Sequence, residues 1–519
     1  MRLEVASQRR SFALAALCAV LFLTFLDNTI VSVALADIQT DLFAGVSSLQ
    51  WIVDGYMLAF TALMLTGGTL GDLLGRKRVL LTGIVLFCAG SLVGALAGDT
   101  RTLIVGRVLM GVGAAACEPG TLSLIRQIYP ERGERARALG VWTAVSGISL
   151  ALGPVLGGVL VAAAGWRGIF WFNLGFGVCM LVAAALTLPE SADPAGRSLD
   201  VPGLVVGAVA IGTVTFAVID GENVGYGTWW VLVLFAVAAV ATAAFVWIER
   251  RSRDPVLPLE LFRLPAFSSA TAVGFATSFG LFAVFFFTAL YLQVVVGFSG
   301  WKIALQFVAM SVAMLVAGLA AGRWTAARGP REPMAAGCLL AGGSMFGVDA
   351  LLDPHVSFTL LAVALAGVGF GLGLALVAVT AAVLTIVPAA RSGMAASTLN
   401  TSREFGGVLA VAVLGAVVNA QIVGDLTRRL VRLQVPEEFR SLVINAVTHG
   451  GLPANALGAA AANPLARKYI AQIGPVIAAA KQAFGQGLHA ALVVAAAILL
   501  AGAAVSLLAG SGARGGEFG

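Results

Sequence analysis

Charge is what this 519-residue chain has least of: Asp, Glu, Lys and Arg together make 11% of it, against about a quarter in soluble globular domains. Hydrophobic residues make 59%, and the mean hydropathy is +0.96. A water-soluble globule is thereby excluded. Cysteine is scarce too. Cys18, Cys88, Cys117, Cys179 and Cys338 all fall inside apolar runs without paired spacing, which excludes a disulfide framework and a metal site and leaves them as small packing residues. The only histidines, His355, His449 and His489, are scattered in or beside outer regions. No zinc-ligand spacing or nucleophile elbow occurs, so nothing marks an enzyme. Lysine is limited to Lys77, Lys302, Lys468 and Lys481 among 32 basic residues, and alanine and glycine abound, as in a GC-rich bacterial gene.

What is present is a series of apolar runs of about 20 residues, the length that crosses a hydrocarbon core about 30 Å thick. Fourteen such runs predict an all-α polytopic membrane protein: about 11–36, 49–71, 79–97, 102–126, 137–164, 168–188, 203–221, 228–248, 267–293, 301–322, 333–352, 357–387, 393–421 and 488–510. The first run, behind Arg9 and Arg10, mimics a signal peptide. Asp27 within it, and thirteen further spans, argue that it is retained. The net charge of +6 does not call for nucleic acid, because the basic residues sit in short loops on one side. Arg76, Lys77, Arg78, Arg250, Arg251 and Arg253 belong to that side, whereas short loops on the other hold only Arg101, Arg167 and Lys302. That asymmetry places both termini in the cytoplasm, across a bacterial inner membrane.

Between two of the apolar runs lies Gly68-Thr-Leu-Gly-Asp72-Leu-Leu-Gly75-Arg76-Lys77-Arg78, a short charged loop that must sit at a membrane surface. The stretch Gly322-Arg-Trp-Thr-Ala326-Ala-Arg328-Gly329-Pro-Arg331 repeats its glycine spacing, with Ala326 where Asp72 stands. Two halves on one plan around a central site are a common design of secondary transporters. The expected organisation is an N-terminal tail 1–10, a six-helix half 11–188, two inserted helices 203–248, a second six-helix half 267–510 and a tail 511–519. Residues 422–487 are expected as a long outer loop within the second half. There Leu426, Leu430 and Leu433 alternate with Arg428, Arg429 and Arg432 at helical spacing, which suits either an amphipathic helix on the outer surface or a solvated loop helix.

The pattern G-x-L-x-D-x-x-G-R-K-R at 68–78 resembles the loop between spans two and three of the major facilitator superfamily. Ser149-x-x-x-Gly153-Pro154-x-x-Gly157-Gly158 resembles the G-x-x-x-G-P-x-x-G-G element of its exporters, with serine at the first glycine. Leu26-Asp27-Asn28-Thr29-Ile30-Val31, Trp51-Ile-Val-Asp54-Gly-Tyr56, Trp166-Arg167-Gly-Ile-Phe170 with Asn173, and Tyr291-Leu-Gln293 extend the likeness to the fourteen-span drug:proton antiporters, over nearly the whole chain. Gly168 in place of a second tryptophan, Ala36 in place of a proline, and an acid-free span ten depart from it. The resemblance implies alternating access, export of a lipophilic small molecule such as a drug or antibiotic, a proton gradient and no cofactor.

Charges inside spans each cost at least about 2.5 kcal/mol at a helix centre, so they mark tasks. Depth counting puts Asp27, Asp54 and Arg107 at similar levels in the outer half, where they can meet, either acid exchanging a proton while Arg107 balances charge. Glu118 lies eleven residues after Arg107, on nearly the same helix face and three turns deeper, placed to bind a cationic drug or carry the proton. Arg403 and Glu404 are adjacent and so do not face each other; a tie to a neighbouring helix is the expected role. Asp72, Arg76 and Arg78, with Gly68 and Gly75, are expected as a cytoplasmic gate whose charges pair with helix ends or acids of the other half. Six phenylalanines from Phe275 to Phe287 either line an apolar cavity or face lipid.

Two further patterns carry no chemistry. Gly71 to Lys77 lacks the spacing and preceding strand of a phosphate loop, and Gly367-x-Gly369-x-Gly371-x-Gly373 lies inside an apolar span. The expected reading is a monomeric, proton-coupled efflux antiporter in membrane lipid. Alternatives are a proton-coupled uptake symporter and a membrane sensor that binds ligand without moving it.

Overall fold

Backbone inside a bilayer must satisfy its own N–H and C=O groups, and a helix does so within one segment. The computed structural model describes residues 2–44, 46–191, 200–298, 300–353, 357–387, 391–450 and 470–508, and among these there is no strand. The C-terminal tail 511–519, Arg197, His355, Lys468 and the side chains of Pro154, Gln293 and His449 lie outside the described part.

The first half of the chain holds α1 (Arg2–Ile30), a short α2 (Leu35–Asp41), α3 (Val46–Leu74), α4 (Arg76–Ala95), α5 (Thr100–Ile128), α6 (Arg132–Ala164) and α7 (Arg167–Thr187). Then come α8 (Val201–Val224) and α9 (Trp229–Arg251). The second half holds α10 (Pro265–Ala283), which runs on through π-turns and α11 (Ala289–Tyr291), then α12 (Gly300–Arg328), α13 (Arg331–Leu351), α14 (Phe358–Ile386), α15 (Ser392–Arg432), α16 (Glu437–Gly450) and α17 (Ile470–Leu508). Thirteen of the described helices are long and apolar enough to cross a membrane. The fourteenth long helix is α6; Glu134, Arg135 and Arg137 occupy its first turns and its described apolar run is Val155–Ala164.

The packing repeats. In the first half α4 packs on α5 and α7, α3 on α5, and α1 on α6 and α7. In the second, α13 packs on α14 and α17, α12 on α14, and α10 on α15 and α17. The two groups meet through α6 against α12 and α3 against α15, and α5 also touches α15. Helices α8 and α9 pair with each other, and α8 rests against α3 and α15. The repeated loop is repeated in backbone as well: Gly75 and Gly329, which follow α3 and α12, have φ of 108° and 83°, a region that glycine enters without strain.

Of the segment 422–487, residues 422–450 and 470–487 are described and are helical almost throughout, in α15, α16 and α17; α15 runs 41 residues and α17 runs 39, each more than the about 20 that cross a bilayer, so both continue beyond the span. Leu426 and Leu430 are fully buried, in one apolar cluster with Ile473, Val476, Ala480 and Phe484 of α17 and Phe439 of α16. The leucine stripe is thus covered by protein rather than resting on lipid headgroups. Asp425 pairs with Arg429 along the same helix.

Candidate functional site

The buried charges separate into two groups. In the first, Asp27 of α1 forms an ion pair with Arg107 of α5 through its Oδ2, and its Oδ1 accepts from Asn173 Nδ2 of α7 at 2.7 Å. Arg107 Nε donates to the Ile52 carbonyl of α3 at 2.8 Å, and its guanidinium lies 4.5 Å from the centre of the Tyr56 ring. The Tyr56 hydroxyl in turn donates to the Thr24 carbonyl of α1 at 3.0 Å. Both ion-pair partners are buried to within 1% of full burial. Four helices of the first half are therefore tied at one point, and both carboxylate oxygens of Asp27 are engaged.

Asp54 does not join this group. Helix α3 turns it the other way, into a cleft against α8 that it shares with Gln50, Trp51, Phe216 and Asp220. Sequence depth gives a level along the helix but not a direction around it, and the choice of neighbour depends on how α8 packs.

The second group lies where α5 meets α15. Glu118, Arg403, Glu404 and Asn400 are all at least 97% buried. Glu118 stands on α5, and Arg403 and Glu404 stand on α15, which packs against α5. Arg403 Nη1 donates weakly to Asn400 Oδ1 at 3.4 Å, and its guanidinium lies 5.5 Å from the Trp142 ring of α6, within cation–π range. Trp142 is held by Nε1 donating to Thr121 Oγ1 at 3.0 Å. Yet Glu118 Oε2, Glu404 Oε2, Arg403 Nε and Asn400 Nδ2 have no protein hydrogen-bond partner. Each such group costs about 1–3 kcal/mol, so a cluster of four marks a place kept for something other than stability. The span-thirteen pair is therefore no simple tie to one neighbour. Adjacent residues diverge by about 100°, but α15 is packed by α3, α5, α10 and α17, so both remain inside protein. Asn400 and Trp142 escaped the sequence reading; Asn400 had a signal, being polar in an apolar run three residues before Arg403.

At the basic end of the bundle, Asp72 reaches across the halves. Its Oδ1 accepts from Gly393 N at 2.9 Å and its Oδ2 from Met394 N at 2.8 Å, so the carboxylate caps the N-terminus of α15. Arg76 holds that carboxylate from behind, with Nη2 to Oδ1 at 2.8 Å. Gly68 brings α3 against α15 so closely that a Cβ would lie 2.4 Å from Ser397 Cβ. Arg126 of α5 donates to the Val387 carbonyl at 3.0 Å, a second bond between halves. Arg78 does not cross. It pairs with Glu190 at 3.6 Å within its own half, and Glu190 also accepts from Lys77 N at 3.2 Å, capping α4.

The glycine element of α6 serves close packing on α1. A Cβ on Gly153 would collide with Thr29, and one on Gly157 would meet the Ile30 carbonyl at 2.8 Å. Ser149 is buried, with its hydroxyl turned back onto the Val145 carbonyl. Gly158 faces open space and takes no part in the seam. At the opposite end from the gate loop, Asp41 accepts from Trp166 Nε1 at 3.0 Å and Arg167 Nη1 at 2.6 Å, and these two bonds hold its carboxyl below the usual carboxylate range.

A model of the Major Facilitator Superfamily matches residues 17–411. The multidrug resistance protein Stp of Mycobacterium tuberculosis (strain CDC 1551 / Oshkosh) is 35% identical over 491 residues, covering 94% of this chain and 89% of that protein. The tetracenomycin C resistance and export protein of Streptomyces glaucescens is 30% identical over 487 residues, covering 93% of this chain and 88% of that one. The crystal structure of the human organic anion transporter MFSD10 matches with a TM-score of 0.61 over 96% of this chain and 99% of the other. Its 12% identity speaks to fold alone.

Proposed function

This chain belongs to the Major Facilitator Superfamily, and we propose that it exports lipophilic small molecules, antibiotics among them, in exchange for protons. The observation that carries the reading is the buried Glu118–Arg403–Glu404 cluster between the two halves, whose polar atoms lack protein partners. The names of its relatives, a multidrug resistance protein and a resistance and export protein, support outward transport.

The cluster has a simple charge balance. Two carboxylates and one guanidinium sum to −1 when all are ionised, and one proton brings the sum to zero. A proton and the cationic or hydrogen-bonding part of a substrate then compete for the same neutralisation. With the cluster open outward, a proton enters and the substrate leaves; with it open to the cytoplasm, the proton leaves and a new substrate enters. One net charge moved yields about 2.3 kcal/mol per 100 mV, enough for about a fortyfold gradient without ATP. Asp72 on the α15 N-terminus and Arg126 on the α14 end are the bonds that break when the cytoplasmic side opens. On this reading the end of the bundle with the basic loops faces the cytoplasm, in keeping with the positive-inside rule, both termini lie on that side of a bacterial inner membrane, and the transporter works as a monomer.

The test uses inside-out vesicles with an acid interior, a pH-sensitive dye and a panel of lipophilic cations, neutral antibiotics and anions. Proton release on adding a compound, lost in Glu118→Gln, is the expected result. Silence across the panel with folded protein would sink broad drug export and favour a narrow native substrate or a sensor.

A further inference from the structure

Helix α3 lies against α15 along a seam whose register is fixed at its basic end. Asp72 accepts from Gly393 N and Met394 N, and Gly68, four residues earlier on α3, meets Ser397, four residues later on α15. The two helices are therefore antiparallel and in step. Further along, Leu65 shares an apolar cluster with Met394, Ala395 and Leu399, and Met57 packs against another that contains Val408 and Ala412. Seven residues bring an α-helix back to within about 20° of the same face. Seven before Gly68 stands Thr61, and seven after Ser397 stands Glu404, so these two occupy facing positions in the seam.

Both are buried, Thr61 at 0% and Glu404 at 3% exposure. They do not bond to each other: Thr61 Oγ1 and Glu404 Oε2 have no protein hydrogen-bond partner, and neither has Thr401 Oγ1, four residues past Ser397 and close to the same face. A threonine inside a helix ordinarily turns its hydroxyl onto the carbonyl three or four residues back, as Thr24, Thr121, Thr277 and Thr380 do. Thr61 makes no such bond. A hydroxyl and a carboxylate oxygen are thus left open across one seam, where a group carrying more than one N–H would bridge them.

We infer that Thr61 is a specificity-determining residue of the transport site, its hydroxyl and Glu404 together taking the N–H groups of a lipophilic primary or secondary amine. The ammonium of such an amine has two or three donors, enough for Glu404 Oε2 and Thr61 Oγ1 at once, whereas a quaternary phosphonium offers the carboxylate its charge alone. Buried groups that go unpaired without the right ligand are what lets a site discriminate. Thr61 carries no charge, so it bears on the choice of substrate rather than on the charge balance that drives export. The inference rests on the export reading for what the bound amine is for, and on the seam between α3 and α15 for the binding itself.

The experiment is equilibrium binding of a labelled lipophilic primary amine and of radiolabelled tetraphenylphosphonium to the purified full chain in detergent, without a proton gradient. Thr61→Val keeps the shape of the side chain and removes the hydroxyl, Thr61→Ser keeps the hydroxyl, and Thr61→Ala replaces Thr61→Val where that variant aggregates. Size-exclusion profiles establish that each is folded. Thr61→Val is expected to weaken amine binding about tenfold and to leave tetraphenylphosphonium unchanged, with Thr61→Ser close to wild type for both. An equal change for the two ligands, unchanged amine affinity in folded Thr61→Val, or no amine binding by wild type would overturn the inference. Amine binding that depends on the hydroxyl, in a protein inactive in the vesicle assay, would defeat the export reading and leave the subsite standing. Proton release on adding drugs, with the preference for amine over phosphonium intact in Thr61→Val, would do the reverse.

Discussion

Asp27 and Glu118 are both carboxylates buried to within 1% of completeness, and they are opposites in what surrounds them. Asp27 has an arginine on one oxygen and an asparagine on the other, and its arginine is further held by a carbonyl and a tyrosine face. Glu118 has an arginine and a second carboxylate for neighbours, and one of its oxygens has no protein partner. A saturated ion pair holds helices in place; an unsaturated one keeps room for an exchangeable guest. All four helices joined by the Asp27 network belong to one half, whereas the Glu118 group spans both. Only the second arrangement changes when the halves rock.

The largest effect should come from breaking the saturated side. Asp27→Asn leaves the Arg107 charge buried without its counterion, and loss of one partner of such a pair costs about 3–5 kcal/mol. The expected outcome is a lower thermal midpoint in detergent and poor yield, with Arg107→Met similar. Glu118→Gln is expected to leave the midpoint within error of wild type, because its charge is only partly compensated in the native protein. An Asp27→Asn protein as stable as wild type but uncoupled would erase the distinction and make Asp27 the proton carrier.

Next in size is coupling. Glu118→Gln and Glu404→Gln are expected to reduce proton-driven export about a hundredfold, equivalent to about 2.7 kcal/mol, while substrate counterflow without a gradient persists. Equal loss of both activities would indicate a binding defect rather than a coupling one. Asp72→Asn should come third. It removes the full charge at the α15 N-terminus, worth about 0.5–2 kcal/mol, which shifts the two openings by about 2–30-fold. The readout is labelling of Ser397→Cys by a thiol reagent from the cytoplasmic side, in a chain lacking the exposed Cys179, where faster labelling is expected.

Much of this contrast was legible in the sequence, for reasons that also explain what was not. The loop 68–78 stood out because four charges between apolar runs have only one physical home, and Asp72 does meet a helix end of the other half. Depth put Asp27, Asp54 and Arg107 at similar levels, either acid free to meet the arginine, and it is Asp27 that pairs with Arg107. Depth says nothing of azimuth, however, and so Asp54, at the same level, was grouped with them although it faces α8. Arg403 and Glu404 were discounted because neighbours on a helix point apart. That rule decides little on α15, which is covered on nearly every side. The helical spacing of Leu426 and Leu430 was legible, but not what covers them: hydropathy shows an apolar stripe without saying whether lipid, water or another helix lies against it, and both leucines are buried in a cluster with α17.

The smallest effect has the sharpest comparison behind it, since Asp41 and Arg167, a half-exposed pair beside the buried Trp166, repeat what Asp27, Arg107 and Tyr56 do in the core. In both an aspartate pairs with an arginine stacked on an aromatic ring, 4.2 Å from Arg167 to the Trp166 ring and 4.5 Å from Arg107 to the Tyr56 ring. Asp41 is half exposed, and the Trp166 and Arg167 bonds hold its carboxyl below the usual range of about 4. A lowered native pKa contributes stability that is present above the unfolded value and is lost as pH falls through the native one. The thermal midpoint of wild type should therefore exceed that of Asp41→Asn by a small, constant margin from neutral pH down to about 4, and the margin should close below that. Raising salt should shrink it at every pH, because an exposed pair is screened. A margin as large as that of Asp27→Asn, or one indifferent to salt, would mean that exposure is not what separates the two triads.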